Sequence, residues 1–176
     1  PVPMYGYVGN NYERPLEFMN YYFTPADTLR ANGVQTTMVG NWLQRSPERG
    51  APEWLIANHR SVAFCPRLDF KSSMGALNKF LCTTHVTKPE YTASTFVSPR
   101  YVEAAVCGCP ALTPFDAPFD LGLPVDGPDS VVMALKRIKA MSFEMRRDLV
   151  ASQLEKLRAV PEFHVNHAVQ YLEAQV

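Results

Sequence analysis

Short apolar runs alternate with helix-periodic stretches along most of this chain, and that alternation restricts the fold more than any other feature. Strands that each return after a helix run parallel, so the pattern calls for an open parallel sheet with crossover helices on its faces. The expected strands are Met4 to Val8, Gln35 to Val39, Val62 to Cys65, Cys82 to Thr87, Cys109 to Thr113 and a short one at Val125. The helix after the first strand carries Leu16, Phe18, Met19, Tyr22 and Phe23; Thr24-Pro25 interrupts it, and Ala26 to Ala31 is a second piece stopped by Asn32-Gly33. Asp69 is a plausible N-cap for a helix running through Met74, Leu77 and Phe80. Gly40 to Arg60 is the least determined stretch, with turn signals around a short helix near Glu53 to Ala57. Ser130 to Met141, Phe143 to Val160 and Phe163 to Ala174 read as a C-terminal helical tail.

The class these elements define is α/β: a single Rossmann-like, doubly wound parallel sheet of about six strands, in the order 3-2-1-4-5-6. With 176 residues, 47% of them hydrophobic and 19% charged, the chain has material for one well-packed domain. Lys+Arg and Asp+Glu are both 17, and neither sign forms a long run, which leaves no footprint for duplex nucleic acid or an anionic membrane. The densest basic cluster, Lys136, Arg137, Lys139, Arg146 and Arg147, is interleaved with acids and reads as a solvated helix face. No apolar run approaches the roughly 18 residues of a membrane span, and no secretory pattern opens the chain, so the expectation is a soluble, cytoplasmic protein. A start at Pro1 suggests a piece of something longer. Cys65, Cys82, Cys107 and Cys109 lack the spacing of zinc knuckles or of a disulfide framework, and are expected to be reduced and buried.

Chemistry concentrates in Ser98-Pro-Arg-Tyr-Val-Glu-Ala-Ala-Val-Cys-Gly-Cys-Pro-Ala-Leu-Thr113. Ser98 is a good N-cap and Pro99 suits the first helical position, so the backbone amides of Tyr101 and Val102 and the helix dipole would face an anion beside Arg100. Glu103 lies one turn past Pro99, where its carboxylate can accept from vicinal hydroxyls while the helix start holds a diphosphate. In an open sheet of this order, ligands bind outside the carboxyl ends of the strands, near the switch between strands one and four. Gly9, Asn10 and Arg14 lie in the loop and helix start after strand one, and Lys88 follows strand four. Thr113 ends strand five, and Asp116 follows in a loop that would reach a sugar. Each has a plainer reading: Arg100 as a surface arginine, Gly9-Asn10 as an ordinary turn, Asp116 as a loop cap.

The same segment resembles the donor-site segment of GT-B-type glycosyltransferases, which run Arg, an aromatic, one residue, Glu, Ala, small residues, Gly, then a strand ending in Thr or Ser. The match is best to the spore-protein-like branch. Tyr7-Val-Gly-Asn10 with Glu13-Arg14 is similar to the first strand and phosphate-side loop of the donor domain, and Leu123-Pro-Val-Asp-Gly127 to its last strand. The resemblance implies that Glu103 binds ribose and that residues 1–176 form the C-terminal, nucleotide-sugar-binding domain of a longer two-domain enzyme. The other half, or a partner chain, would hold the acceptor and the general base, leaving this chain inactive alone. A nucleotide-diphosphate sugar would be substrate, with no permanently bound cofactor and no metal. A nucleotide-sugar epimerase-like domain and a non-catalytic Rossmann-like interaction module remain alternatives.

No GxGxxG run or Walker sequence is present, which disfavours dinucleotide cofactors and ATP. His85 reads as a satisfied core histidine. His164 and His167 have i, i+3 spacing but no third metal ligand in reach.

Overall fold

The computed structural model describes residues 2–10, 14–43, 53–86, 97–117 and 120–160. Among them, β1 (Met4–Val8), β2 (Gln35–Val39), β3 (Val62–Cys65), β4 (Phe80–Thr84), β5 (Ala111–Pro114) and β6 (Pro124–Val125) form a parallel sheet in the order β3-β2-β1-β4-β5-β6. This is the expected Rossmann-like topology, with the order reversing between β1 and β4. The helices are α1 (Pro15–Phe18), which continues as a π-helical turn (Met19–Phe23), α2 (Ala26–Ala31), α3 (Glu53–Asn58), α4 (Phe70–Lys79), α5 (Pro99–Val106), α6 (Pro128–Ala140) and α7 (Phe143–Arg158). The predicted helix from Phe163 to Ala174, with His164 and His167, lies outside the described residues.

Both sheet faces are covered, and the period-2 alternation of β1 shows how. Tyr5 and Tyr7 point into a core shared with Phe18, Tyr22, Met38 and Trp42, which Leu135 and Ile138 of α6 complete. Val8 faces the other way, with Val39, Leu77 and Ala104 under α4 and α5. A third apolar cluster joins α5 to α7 through Tyr101, Val102, Val150 and Leu157. Gly6 is required by packing: a Cβ there would sit 2.3 Å from the Phe80 ring, which lies over the strand.

Pro25 explains the break between α1 and α2. It has no N–H to offer the Tyr21 carbonyl four residues back. That carbonyl instead accepts from the Tyr5 hydroxyl at 2.8 Å, while the Thr24 amide reaches five residues back to Met19 at 2.9 Å, the spacing of a π turn. The turn places the Tyr22 hydroxyl against β4, where it accepts from the Thr84 amide at 2.7 Å and donates to the Thr84 carbonyl.

Several boundaries differ from expectation by a few residues, and three of the differences have a clear physical cause. Phe80 begins β4 instead of ending α4. β4 stops at Thr84, and the carbonyl of Val86 beyond it accepts from Arg14 rather than from a neighbouring strand. β5 begins at Ala111, because the Cys109 amide caps α5 through Ala104 at 2.9 Å and Pro110 has no amide to give. The cysteines are all free thiols, but only Cys82 and Cys109 are buried; Cys65 and Cys107 are half-exposed.

Candidate functional site

The tripeptide Val-Gly-Asn occurs twice, as Val8-Gly9-Asn10 after β1 and Val39-Gly40-Asn41 after β2. The two copies lock together. The Gly9 amide donates to the Val39 carbonyl at 2.9 Å, and the Asn41 amide to Asn10 Oδ1 at 2.8 Å. Gly40 has φ 150°, and a Cβ on it would lie 2.1 Å from the Gly9 carbonyl oxygen, so only glycine permits this approach. Above this junction opens a cleft of about 280 Å³. Arg67 and Leu68 from the loop after β3, Ser73 of α4 and Arg100 from the first turn of α5 form its walls.

Ser98 caps α5 as expected, its Oγ accepting from the Arg100 amide at 3.4 Å, with Pro99 in the first turn. The Tyr101 amide, expected to meet an anion, donates to the Ser98 carbonyl at 3.1 Å. Positive character at this helix start therefore comes from the dipole and the Arg100 side chain. The Nη1 of Arg100 donates to Glu103 Oε2, forming an i, i+3 ion pair with Arg100 at 41% exposure and Glu103 at 13%. Burial raises the Glu103 carboxyl above the usual range, and the charge and hydrogen bond of Arg100 oppose that rise. Arg100 lines the cleft; Glu103 is held behind it and is not a lining residue.

The other predicted residues among the described ones do not line the cleft. Arg14 is buried, and its guanidinium donates to the Val86 carbonyl, to the Tyr7 hydroxyl at 3.2 Å and to the Asn10 carbonyl at 3.1 Å, with its Cζ 5.3 Å from the Phe18 ring centre. It ties the loop after β1 to the end of β4 and is not among the cleft residues. His85 is buried as expected, its ring centre 3.8 Å from that of Tyr101. It is not satisfied, because Nε2 finds no hydrogen-bond partner among the described residues. Burial, then the charges of Arg14 and Arg100, hold its imidazole well below the ordinary value and keep it neutral. On the far side, the Tyr101 phenol is pushed up by burial, and the neighbouring Thr113 hydroxyl opposes that shift. The Asp116 carboxylate is exposed but near enough to the phenols of Tyr21 and Tyr101 to disfavour their ionisation. Val102 is buried in the α5–α7 core, and Lys88 lies outside the described residues.

The structure thus brings Gly9, Asn10 and Arg100 to one cleft, sets Glu103 against Arg100, and leaves Arg14, Thr113 and Asp116 outside its lining. Sequence reasoning missed Gly40 and Asn41, which the repeated Val-Gly-Asn would have revealed. It also missed Trp42, wholly buried against Phe18 with ring centres 4.7 Å apart. Among the described residues no group of three or more His, Cys, Asp or Glu side chains is placed to hold a metal ion. No helix among them is long and apolar enough to cross a membrane. At the opposite, amino-terminal end of the strands a groove of about 390 Å³ runs past Phe80, Pro110, Phe143 and Arg146.

No protein-family model matches the sequence, and no curated protein sequence matches it significantly. Solved structures do resemble the fold. The DNA-modifying enzyme β-glucosyltransferase, studied with and without uridine diphosphoglucose, superposes with a TM-score of 0.62 at 12% identity, covering 97% of this chain and 49% of that one. WaaG, a glycosyltransferase involved in lipopolysaccharide biosynthesis, gives 0.58 at 14% identity, covering 94% and 46%. The O-GlcNAc transferase of Thermobaculum terrenum gives 0.55 at 13% identity, covering 99% and 35%. The chain therefore spans half the length of these proteins or less, and what it shares with them is the Rossmann-like α/β fold.

Proposed function

We propose that this chain is the donor-binding, C-terminal domain of a GT-B-type glycosyltransferase of the spore-protein-like branch, taking a nucleotide-diphosphate sugar as substrate. The observation that carries this reading is the arrangement at the start of α5: the capped first turn brings Arg100 to a glycine-floored cleft at the carboxyl ends of β1 and β2, with the Glu103 carboxylate directly behind. The tight Gly9–Gly40 junction forms the floor on which a diphosphate would rest. Arg100, Arg67 and the α5 dipole supply the positive charge that a leaving diphosphate needs in the transition state. Glu103 supplies a carboxylate for ribose hydroxyls, and Asp116, near Tyr101, reaches toward the sugar. Arg14 contributes by holding the loop after β1 in place rather than by touching phosphate.

The acceptor and the general base belong to a second half. Support for such a half comes from the rim at the carboxyl end of the sheet, where Leu16, Leu43, Phe70 and Phe115 are all exposed, an apolar border suited to a covering domain. The fraction of the structural neighbours' length that this chain spans leaves room for that domain. Alone, this chain is expected to bind donor and transfer nothing.

Calorimetric titration with UDP-glucose and GDP-sugars tests the reading. Binding is expected, and Glu103→Ala should weaken it by about 1–3 kcal/mol, the value of a charge-assisted contact. No binding of any nucleotide sugar would overturn the proposal and favour a non-catalytic interaction module.

A further inference from the structure

The Arg100–Glu103 pair closes the site on itself. Of the two, Arg100 lines the cleft, and its Nη1 is held by Glu103, whose side chain is only 13% exposed. A carboxylate so removed from water needs a partner, whereas the half-exposed guanidinium can be hydrated when it leaves. Glu103 therefore cannot lose Arg100 unless something else satisfies it afterwards.

We propose that Arg100 is a specificity-determining residue that releases Glu103 only to a ligand carrying both a diphosphate and a ribose diol. This rests on the donor-site reading above. The exchange is two contacts for two. A diphosphate at the α5 start gives the guanidinium a stronger anionic partner, and the ribose hydroxyls donate to the vacated Glu103 carboxylate. A nucleoside offers hydroxyls but no anion to draw Arg100 off the carboxylate. Inorganic pyrophosphate draws Arg100 away but leaves a desolvated carboxylate bare. The two halves of a nucleoside diphosphate therefore bind with positive coupling, and the coupling is reciprocal. The site rejects nucleosides and free pyrophosphate, although each fits half of it.

Titrations with UDP, uridine and pyrophosphate at pH 8 test this, with GDP and guanosine as a second set and NMR detection for the weak ligands. Arg100→Gln is expected to weaken UDP at least tenfold. The same change should tighten uridine by about twofold to fivefold, the range that loss of a partly exposed competing ion pair supports. Glu103→Gln should tighten pyrophosphate by a similar factor, because it frees Arg100. A merely structural ion pair would weaken every ligand in both variants. If UDP binds the wild type but Arg100→Gln leaves uridine unchanged or weaker, and Glu103→Gln does not tighten pyrophosphate, the exchange is wrong while the donor site stands. If no nucleoside diphosphate binds the wild type, the donor site falls and the exchange with it.

Discussion

Two arginines stand out near the cleft, and the structure treats them differently. Arg14 is buried and fully engaged with the backbone of two loops and a phenol, whereas Arg100 is 41% exposed and holds one carboxylate at the cleft wall. Both look like phosphate ligands in sequence. Burial decides the division of labour: a buried guanidinium whose donors are bound to carbonyls is a tie between segments, and a half-exposed one beside a cavity is free to change partners.

Removing each arginine should expose that contrast. Arg14→Met is expected to cost the most, about 3 kcal/mol in urea unfolding, because it strips the partners from the buried Val86 carbonyl and Tyr7 hydroxyl. Arg100→Met should cost less, about 1 to 2 kcal/mol, because the half-exposed guanidinium is screened by water while the Glu103 carboxylate loses its partner, and it should still impair nucleotide binding. Equal losses of stability would erase the distinction.

Gly40→Ala should follow in size at about 2 kcal/mol, combining a disfavoured φ with a clash against the Gly9 carbonyl. Because that junction floors the cleft, nucleotide binding should fall with it; Gly75→Ala, where a Cβ meets nothing within 4 Å, is the control.

The smallest effect concerns His85. Its imidazole is held below the ordinary 6.5, so the unfolded chain takes up a proton first as pH falls. Its contribution to stability is complete above pH 6.5 and is lost below it, by at most about 1.4 kcal/mol per pH unit. Glu103, raised by burial, acts in the opposite direction, so the comparison that matters is wild type against His85→Phe between pH 6.5 and 5.5. The variant should show the flatter profile; parallel profiles would mean that His85 already has a partner or is charged.

How much of this was legible in the sequence depended on what each residue answers to. β1, β2 and β3 are apolar runs ended by Gly or Pro, and their boundaries follow from local pattern alone. Phe80 was misplaced because Met74, Leu77 and Phe80 keep helical spacing, and nothing nearby in sequence shows that its ring must lie over Gly6. The cap at Ser98, the Schellman-type stop at Gly108 and the break at Pro25 are local chemistry and were readable. The roles of Arg14 and Trp42 were not, because each depends on partners from distant strands. The same holds for Glu103, whose pairing with Arg100 was within reach of the i, i+3 spacing, but whose burial comes from tertiary packing.

If the nucleotide docks in the cleft at the carboxyl ends of β1 and β2, beside the α5 start, titration with UDP-glucose followed by amide NMR should shift the resonances of Gly9, Gly40, Asn41 and Arg100. Shifts centred instead on Gly108, Phe143 and Arg146, around the larger groove at the other end of the sheet, would contradict it.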